Sequence, residues 1–249
     1  MLALCRGRYT ARLATGGADL DRAQRLRQLV FRTRRGLAGT PSDADPFDAA
    51  CHHILVEETA TGTLVCCYRL LPLASGAQIG RSYSAQFYDL AALKGFAAPM
   101  LEMGRFCIHP DWKDPDILRL AWGAMTRMVD DTGVQMLFGC SSFDGVDADR
   151  HADAFAMLKD AHLAPTDRRP GVKSADVYPF ARALADRTSD PRAAALAMPP
   201  LLRTYLMMGG WVSDHAVVDR ELNTLHVFTG LEITAIPPAR ARLLRAVAG

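Results

Sequence analysis

A chain of 249 residues, 49% of them hydrophobic, can bury one large core, and nothing in its composition suggests disorder or low complexity. Its formal charge of +2 excludes the strongly basic balance of a general nucleic-acid binder, and no nucleic-acid partner is expected. No run of about 18 uncharged apolar residues occurs, so no helix is expected to span a membrane, and Met1 to Arg12 lacks the apolar stretch of a secretory leader.

In chain order, Gly7 to Ala14 reads as a first strand that ends at Gly16-Gly17. Asp19 or Asp21 would cap a helix to about Arg34, with Leu20, Ala23, Leu26, Leu29 and Val30 on its apolar side. Between Arg6 and Arg35 nine arginines face only Asp19 and Asp21. Such a basic face suits an acidic protein, a phosphate group or an anionic membrane surface, and equally a solvated Arg-rich helix. Gly36 to Ala50, rich in Gly, Pro, Ser and Asp, is expected to be a long functional loop. His53–Glu57 and Thr63–Leu71 read as strands of a hairpin turning at Thr61-Gly62. A short helix is expected around Tyr83, Phe87, Tyr88 and Leu90, then a strand over Met100–Ile108 stopped by His109-Pro110. Asp114-Pro115 opens a helix to Asp131. Val134–Ser141 reads as a strand, Ala148–Ala161 as a helix, Pro199–Val212 as an apolar run and Leu225–Ile233 as a late strand. The consecutive middle strands predict a mixed α/β fold with a largely antiparallel central sheet flanked by helices. No GxGxxG and no Walker sequence indicates a dinucleotide or nucleotide site.

Six cysteines, Cys5, Cys51, Cys66, Cys67, Cys107 and Cys140, contain no CxxC pair and read as reduced packing residues of a cytoplasmic protein. His52, His53, His109, His151 and His162 show no metal-ligand spacing, and no metal is expected. Ser141-Ser142 is not a G-x-S-x-G elbow. A Cys–His nucleophile at Cys107 or Cys140 stays open as a minor alternative.

Arg27-x-x-x-Phe31 on the first helix, Asp45-x-x-Asp48 in the loop, Arg69 on a strand and Glu102-x-x-Arg105 on the next occur in one order and at set separations. This pattern resembles the acyltransferases built on the N-acetyltransferase fold, in particular the acyl-homoserine lactone synthases and the hemolysin-like ornithine N-acyltransferases of ornithine-lipid synthesis. The run Leu201 to Trp211, then Asp219 with Asn223-Thr224 before Val227-Phe228, resembles the ornithine-lipid group, which extends the resemblance from about Tyr9 to Ile233. It implies a single acyltransferase domain over 1–249, with a core at about 7–165 and a C-terminal extension at about 166–249. It also implies transfer of a 3-hydroxyacyl group from acyl carrier protein to the α-amine of ornithine. The alternatives are a lactone synthase that uses S-adenosylmethionine and, from another class, a non-catalytic carrier-binding or membrane-active module.

In acetyl-CoA members of that fold a Gly-rich turn opening the central helix receives the pyrophosphate. Here the turn reads Trp112-Lys113-Asp114-Pro115-Asp116, with no glycine until Gly123. The expected donor is therefore acyl phosphopantetheine on acyl carrier protein, with no separate cofactor. Amide formation needs a base for the ammonium proton and donors for a tetrahedral oxyanion. The resemblance implies that Glu102 is that base, or an orienting group, with Arg105 beside it in the catalytic pair. Alternatively Glu102 pairs with Arg105, although a separation of three residues on a regular strand puts the two on opposite faces. Arg69 and Arg105 would hold a carboxylate or phosphate, or else pair with Asp45 and Asp48. Asp45 and Asp48 would face the side-chain amine of a basic amino acid, and Arg27 and Phe31 complete the substrate set. Leu201 to Trp211 would line an acyl tunnel, rest on the bilayer in peripheral contact, or pack as a core helix; Arg203 prevents it from spanning.

Overall fold

The computed structural model describes residues 2–37 and 42–248. In chain order it contains β1 (Ala3–Arg6), β2 (Tyr9–Leu13), α1 (Gly17–Phe31), β3 (His52–Glu58), β4 (Leu64–Leu73), β5 (Tyr88–Asp89), β6 (Met100–Ile108) and α2 (Pro115–Thr132). There follow β7 (Met136–Asp144), α3 (Ala152–Ala161), β8 (Gly171–Val172), β9 (Val177–Tyr178), α4 (Phe180–Ala183), α5 (Pro191–Ala197) and α6 (Pro200–Met207). The last elements are β10 (Trp211–Val212), β11 (Ala216–Asp219), β12 (Thr224–Glu232) and α7 (Pro238–Ala248). The fold is the expected mixed α/β class: large, mostly antiparallel sheet structure flanked by helices.

The chain forms two compact units, one of Met1–Pro72, Met103–Val134 and Pro237–Gly249, the other of Leu73–Glu102 and Gln135–Ile236. In the first, the strands run β1-β2-β3-β4 and on to the later residues of β6. The β4 sequence LVCCYRLLPL is buried almost throughout, as a near-continuous apolar run demands when both faces are covered. Ala23 and Leu26 of α1 pack on Leu55, Cys67 and Cys107 from three of these strands. Asp114 caps α2 by accepting from the Asp116 N–H, Pro115 stands where a helix needs no donor, and Ile117, Leu120, Ala121, Ala124 and Met125 are its buried stripe. At Gly123 the backbones of α2 and α7 approach so closely that a Cβ would lie 2.7 Å from Val247 Cγ1.

In the second unit β6 begins, pairing in parallel with β7 from Met100↔Met136 to Glu102↔Phe138. Outward from β7 the order is β12-β11-β9, antiparallel, with β10 also on β12. Phe143, Leu225 and Val227 face a core shared with Phe155, Phe180 and Leu202 of the flanking helices. Alternation then puts Glu102, Phe138, Cys140, Ser142, His226, Phe228 and Gly230 on the other face.

Local differences from the sequence reading have physical causes. The expected first strand is the second arm of a hairpin, turned at Gly7 with φ 55. The first helix stops at Phe31, and Thr33–Arg35 form a separate tight turn. Of the loop over Gly36–Ala50, residues 38–41 lie outside the described residues, and Pro46–Ala50 form a 3-10 turn capped by Asp45. The expected helix near Tyr83 is only the turn Ser84–Gln86, followed by β5. The apolar run divides into α6 and β10, with Leu202 and Tyr205 buried as core and Met207 exposed. No helix among the described residues is long and apolar enough to cross a membrane.

Candidate active site

In the first unit α1, the following loop, β4 and β6 bring three arginines onto three aspartates. Arg27, only 1% exposed, donates from Nε to Asp43 Oδ2 at 2.8 Å and from Nη1 to Asp48 Oδ1 at 2.7 Å. Its Nη2 also donates to the Asp43 carbonyl. Arg69 Nη1 donates to Asp45 Oδ1 at 2.5 Å and Asp48 Oδ1 at 2.7 Å. Arg105 stands 2.9 Å from Asp43 by its Nε and 3.3 Å from Asp45 by its Nη2. Gln24 Nε2 donates to the second Asp48 oxygen at 2.9 Å. Phe31 lies beneath the Arg105 guanidinium and Phe47 beneath that of Arg69, as ring faces attract cations.

The charges of these six residues cancel, which is what makes the buried cluster tenable. Burial pushes the Asp48 carboxyl up, but bonding and charge from Arg27, with bonds from Arg69 and Gln24, outweigh it and leave the group at about 2. Burial opposes the charge on Arg69, and its bonds to Asp45 and Asp48 more than reverse that. His53 holds the Asp48 carbonyl through Nε2 at 3.0 Å and is lowered by its own burial. Asp48 is thus fully engaged as a brace. Asp45 and Arg105 are the more accessible members, with side chains 18% and 13% exposed.

Arg105 has φ 54, the left-handed region that costs a branched or long residue roughly 1–3 kcal/mol. This breaks the strand alternation at the position that meets Asp43 and Asp45. Strain of that kind persists only where the surroundings impose it, and it concentrates at functional sites.

Glu102, in the second unit, is 4% exposed. Its Oε2 accepts from Tyr83 N at 2.8 Å, and its Oε1 from Ser84 N at 2.8 Å and Ser84 Oγ at 2.6 Å. Two backbone donors opening a turn and a hydroxyl fix the carboxylate in place by charge-assisted bonds. Ser84 Oγ also lies 3.4 Å from Cys140 Sγ.

The sequence-based candidates Arg27, Phe31, Asp45, Asp48, Arg69 and Arg105 therefore converge in one network, while Glu102 is held by its own partners. Asp43, Gln24 and His53 were missed, as were Tyr83 and Ser84. Asp43 carries no sequence signal of its own, because the three arginines of the pattern are already matched by Asp45, Asp48 and Glu102. None of the six cysteines, all among the described residues, forms a disulfide. Burial pushes the Cys107 thiol well up, which disfavours it as a nucleophile.

Residues 26–123, which carry most of these side chains, match the Acetyltransferase (GNAT) domain family. The chain is 34% identical to the L-ornithine N(alpha)-acyltransferase of Rhodobacter capsulatus, over 92% of this chain and 91% of that protein. Among solved structures it resembles FeeM, an N-acyl amino acid synthase from uncultured soil microbes, with TM-score 0.53, 12% identity, and 91% and 93% of the two chains covered. It also resembles the CoA-dependent acyl-homoserine lactone synthase BjaI, with TM-score 0.50, 14% identity, and 92% and 82% covered. The two structural likenesses show a shared fold. Identity sustained along nearly the whole length of both sequences is what places the chain in the L-ornithine N(alpha)-acyltransferase family of N-acyltransferases.

Proposed function

We propose that the chain transfers a 3-hydroxyacyl group from acyl carrier protein to the α-amine of ornithine, giving a lyso-ornithine lipid. The observation that carries this reading is the 34% identity over nine-tenths of both chains to an L-ornithine N(alpha)-acyltransferase. In the reaction the free amine attacks the thioester carbonyl, the C–N bond forms and the C–S bond breaks. The amine proton leaves by way of Glu102, directly or through a water, and the phosphopantetheine thiolate departs and is reprotonated. Within the first unit, Arg105 offers a guanidinium suited to a carboxylate and Asp45 a carboxylate suited to an ammonium, as the less buried rim of the charge network. Arg27, Arg69, Asp43 and Asp48 hold that rim in place.

The start of α2 supports a carrier-bound donor over coenzyme A. Asp114 accepts the Asp116 N–H at 2.9 Å, Pro115 has no N–H to give, and Asp116 carries a second negative charge. Asp116 is already paired with Arg6 and Arg119 at 3.0 and 2.9 Å. A pyrophosphate there would meet two carboxylates rather than open backbone donors. Lyso-lipid product would leave to a membrane, with transient contact at the cytoplasmic face.

The test is incubation of the purified protein with 3-hydroxyacyl carrier protein or the matching coenzyme A thioester and a panel of amino acids, read by mass spectrometry. N-acyl ornithine from the carrier alone is the expected result. An acyl lactone formed only with S-adenosylmethionine, or no product with any acceptor, would refute it.

A further inference from the structure

On the sheet face of the second unit that carries Glu102, β12 places His226, a ring 2% exposed. Its protonation pattern can be read from its neighbours. Tyr88 Oη lies 2.7 Å from the His226 carbonyl and 3.1 Å from His226 Nδ1. A carbonyl can only accept, so the single Tyr88 hydrogen goes there, and Nδ1 must carry the hydrogen that reaches Tyr88 Oη. Burial, with a smaller contribution from His215, lowers His226 to about 4, so the ring is neutral at physiological pH. Nε2 is then a bare acceptor. Among the described residues it has no hydrogen-bond partner.

A buried acceptor left unmatched costs about 1–3 kcal/mol, and such atoms in folded proteins have an explanation. The surroundings define what would match it. Phe87 meets the ring edge-on at 5.0 Å, Tyr88 at 5.6 Å, and Phe228 lies two residues along the strand on the same face. The nearby carboxylate of Asp214 is engaged by His215 at 2.7 Å. An ammonium in this aromatic setting would lack a counter-charge, whereas a neutral O–H on an apolar chain would not. Ser142, opposite His226 in register, is exposed.

We propose that His226 Nε2 accepts a hydrogen bond from the hydroxyl of the acyl chain and so selects hydroxylated over plain acyl donors. Tyr88 is the positioning residue that fixes the required tautomer. The inference rests on the acyl-transfer reading above. Its test compares kcat/KM for 3-hydroxyacyl carrier protein and for plain acyl carrier protein of equal chain length, with ornithine as acceptor. The wild type is expected to favour the hydroxylated donor by roughly 10- to 100-fold. In His226→Leu that ratio falls close to one, while His226→Gln, which keeps an acceptor oxygen, and Tyr88→Phe retain part of it. Should His226→Leu fail to fold, the latter two variants carry the same comparison. Equal use of both donors by the wild type, or an equal loss on both in the variants, overturns the proposal and makes the histidine a structural group satisfied by water. Loss confined to acceptors bearing a terminal amine likewise overturns it. No product from the wild type with either donor refutes the acyl-transfer reading itself, a result distinct from these.

Discussion

Replacing Asp48 by Asn tests whether the charge network is a neutral brace. Asp48 is 6% exposed and accepts from Arg27 and Arg69, each at 2.7 Å, and from Gln24 at 2.9 Å. Asn can accept with one oxygen, but its amide then sets donors against the donors of Gln24 or an arginine. It also leaves Arg27, Arg69 and Arg105 against two carboxylates, with Arg32 a further cation 3.9 Å from Asp43. Breaking a buried pair by removing one partner costs about 3–5 kcal/mol, which for a chain of this size lowers Tm by roughly 6–20 °C. The pH dependence makes the test stricter. The folded-state Asp48 value of about 2 lies below the ordinary 3.8, so its stabilisation is fully present above the unfolded value and is lost as pH falls through the folded one. The stability gap between wild type and Asp48→Asn should therefore narrow by about 2 kcal/mol between roughly pH 5 and pH 2. Circular dichroism melts of both proteins across that range supply the measurement. Arg245→Ala, which breaks an exposed pair with Asp130, serves as control and should shift the melt far less than Asp48→Asn does. A Tm for Asp48→Asn within about 2 °C of wild type at pH 7, where a lost buried pair predicts far more, would refute the reasoning.

Glu102→Gln should lower kcat/KM by roughly 100- to 10,000-fold in a carrier-protein assay with ornithine, as loss of a general base does. Ser84→Ala, which removes only the 2.6 Å hydroxyl bond and leaves both backbone donors, should cost less than about tenfold in the same assay. Arg105→Gly relieves the left-handed backbone and deletes the guanidinium. Its KM for the amino acid should rise by about tenfold or more, yet its melting temperature should fall less than that of Arg69→Ala, which gains no such relief. Gly230→Ala would set a Cβ 2.4 Å from the Trp211 ring and should destabilise by about 1–3 kcal/mol in urea titration, with Trp211→Leu in the same chain recovering part of the loss.

The sequence shows the parts of this protein that depend on residue type in regular elements. β4, β6 and α2 are legible because their apolar runs, Pro115 and the cap at Asp114 act within a few residues of themselves. The alternative in which Arg69 and Arg105 pair with Asp45 and Asp48 is legible because buried ionic side chains require opposite charges nearby, whereas Arg27, expected in the substrate set, joins the same network through Asp43 and Asp48. The sequence cannot give Asp43 its role, because that depends on how a loop closes on Arg27. Nor can it foresee that Arg105 leaves the strand alternation, which follows from a φ value that no residue count contains. Opposite strand faces for Glu102 and Arg105 require regular strand geometry, which the positive φ at Arg105 breaks. His226 shows the limit in another form. As one of seven histidines in an apolar stretch it carries no sequence signal beyond a core position. What distinguishes it is the Tyr88 hydroxyl on its own carbonyl, contributed from 138 residues away, which settles its tautomer and leaves the opposite nitrogen as an acceptor. Chemistry of that kind arises when distant segments meet, so the backbone pairing of β7 with β12 is as much a part of the site as the side chains it aligns.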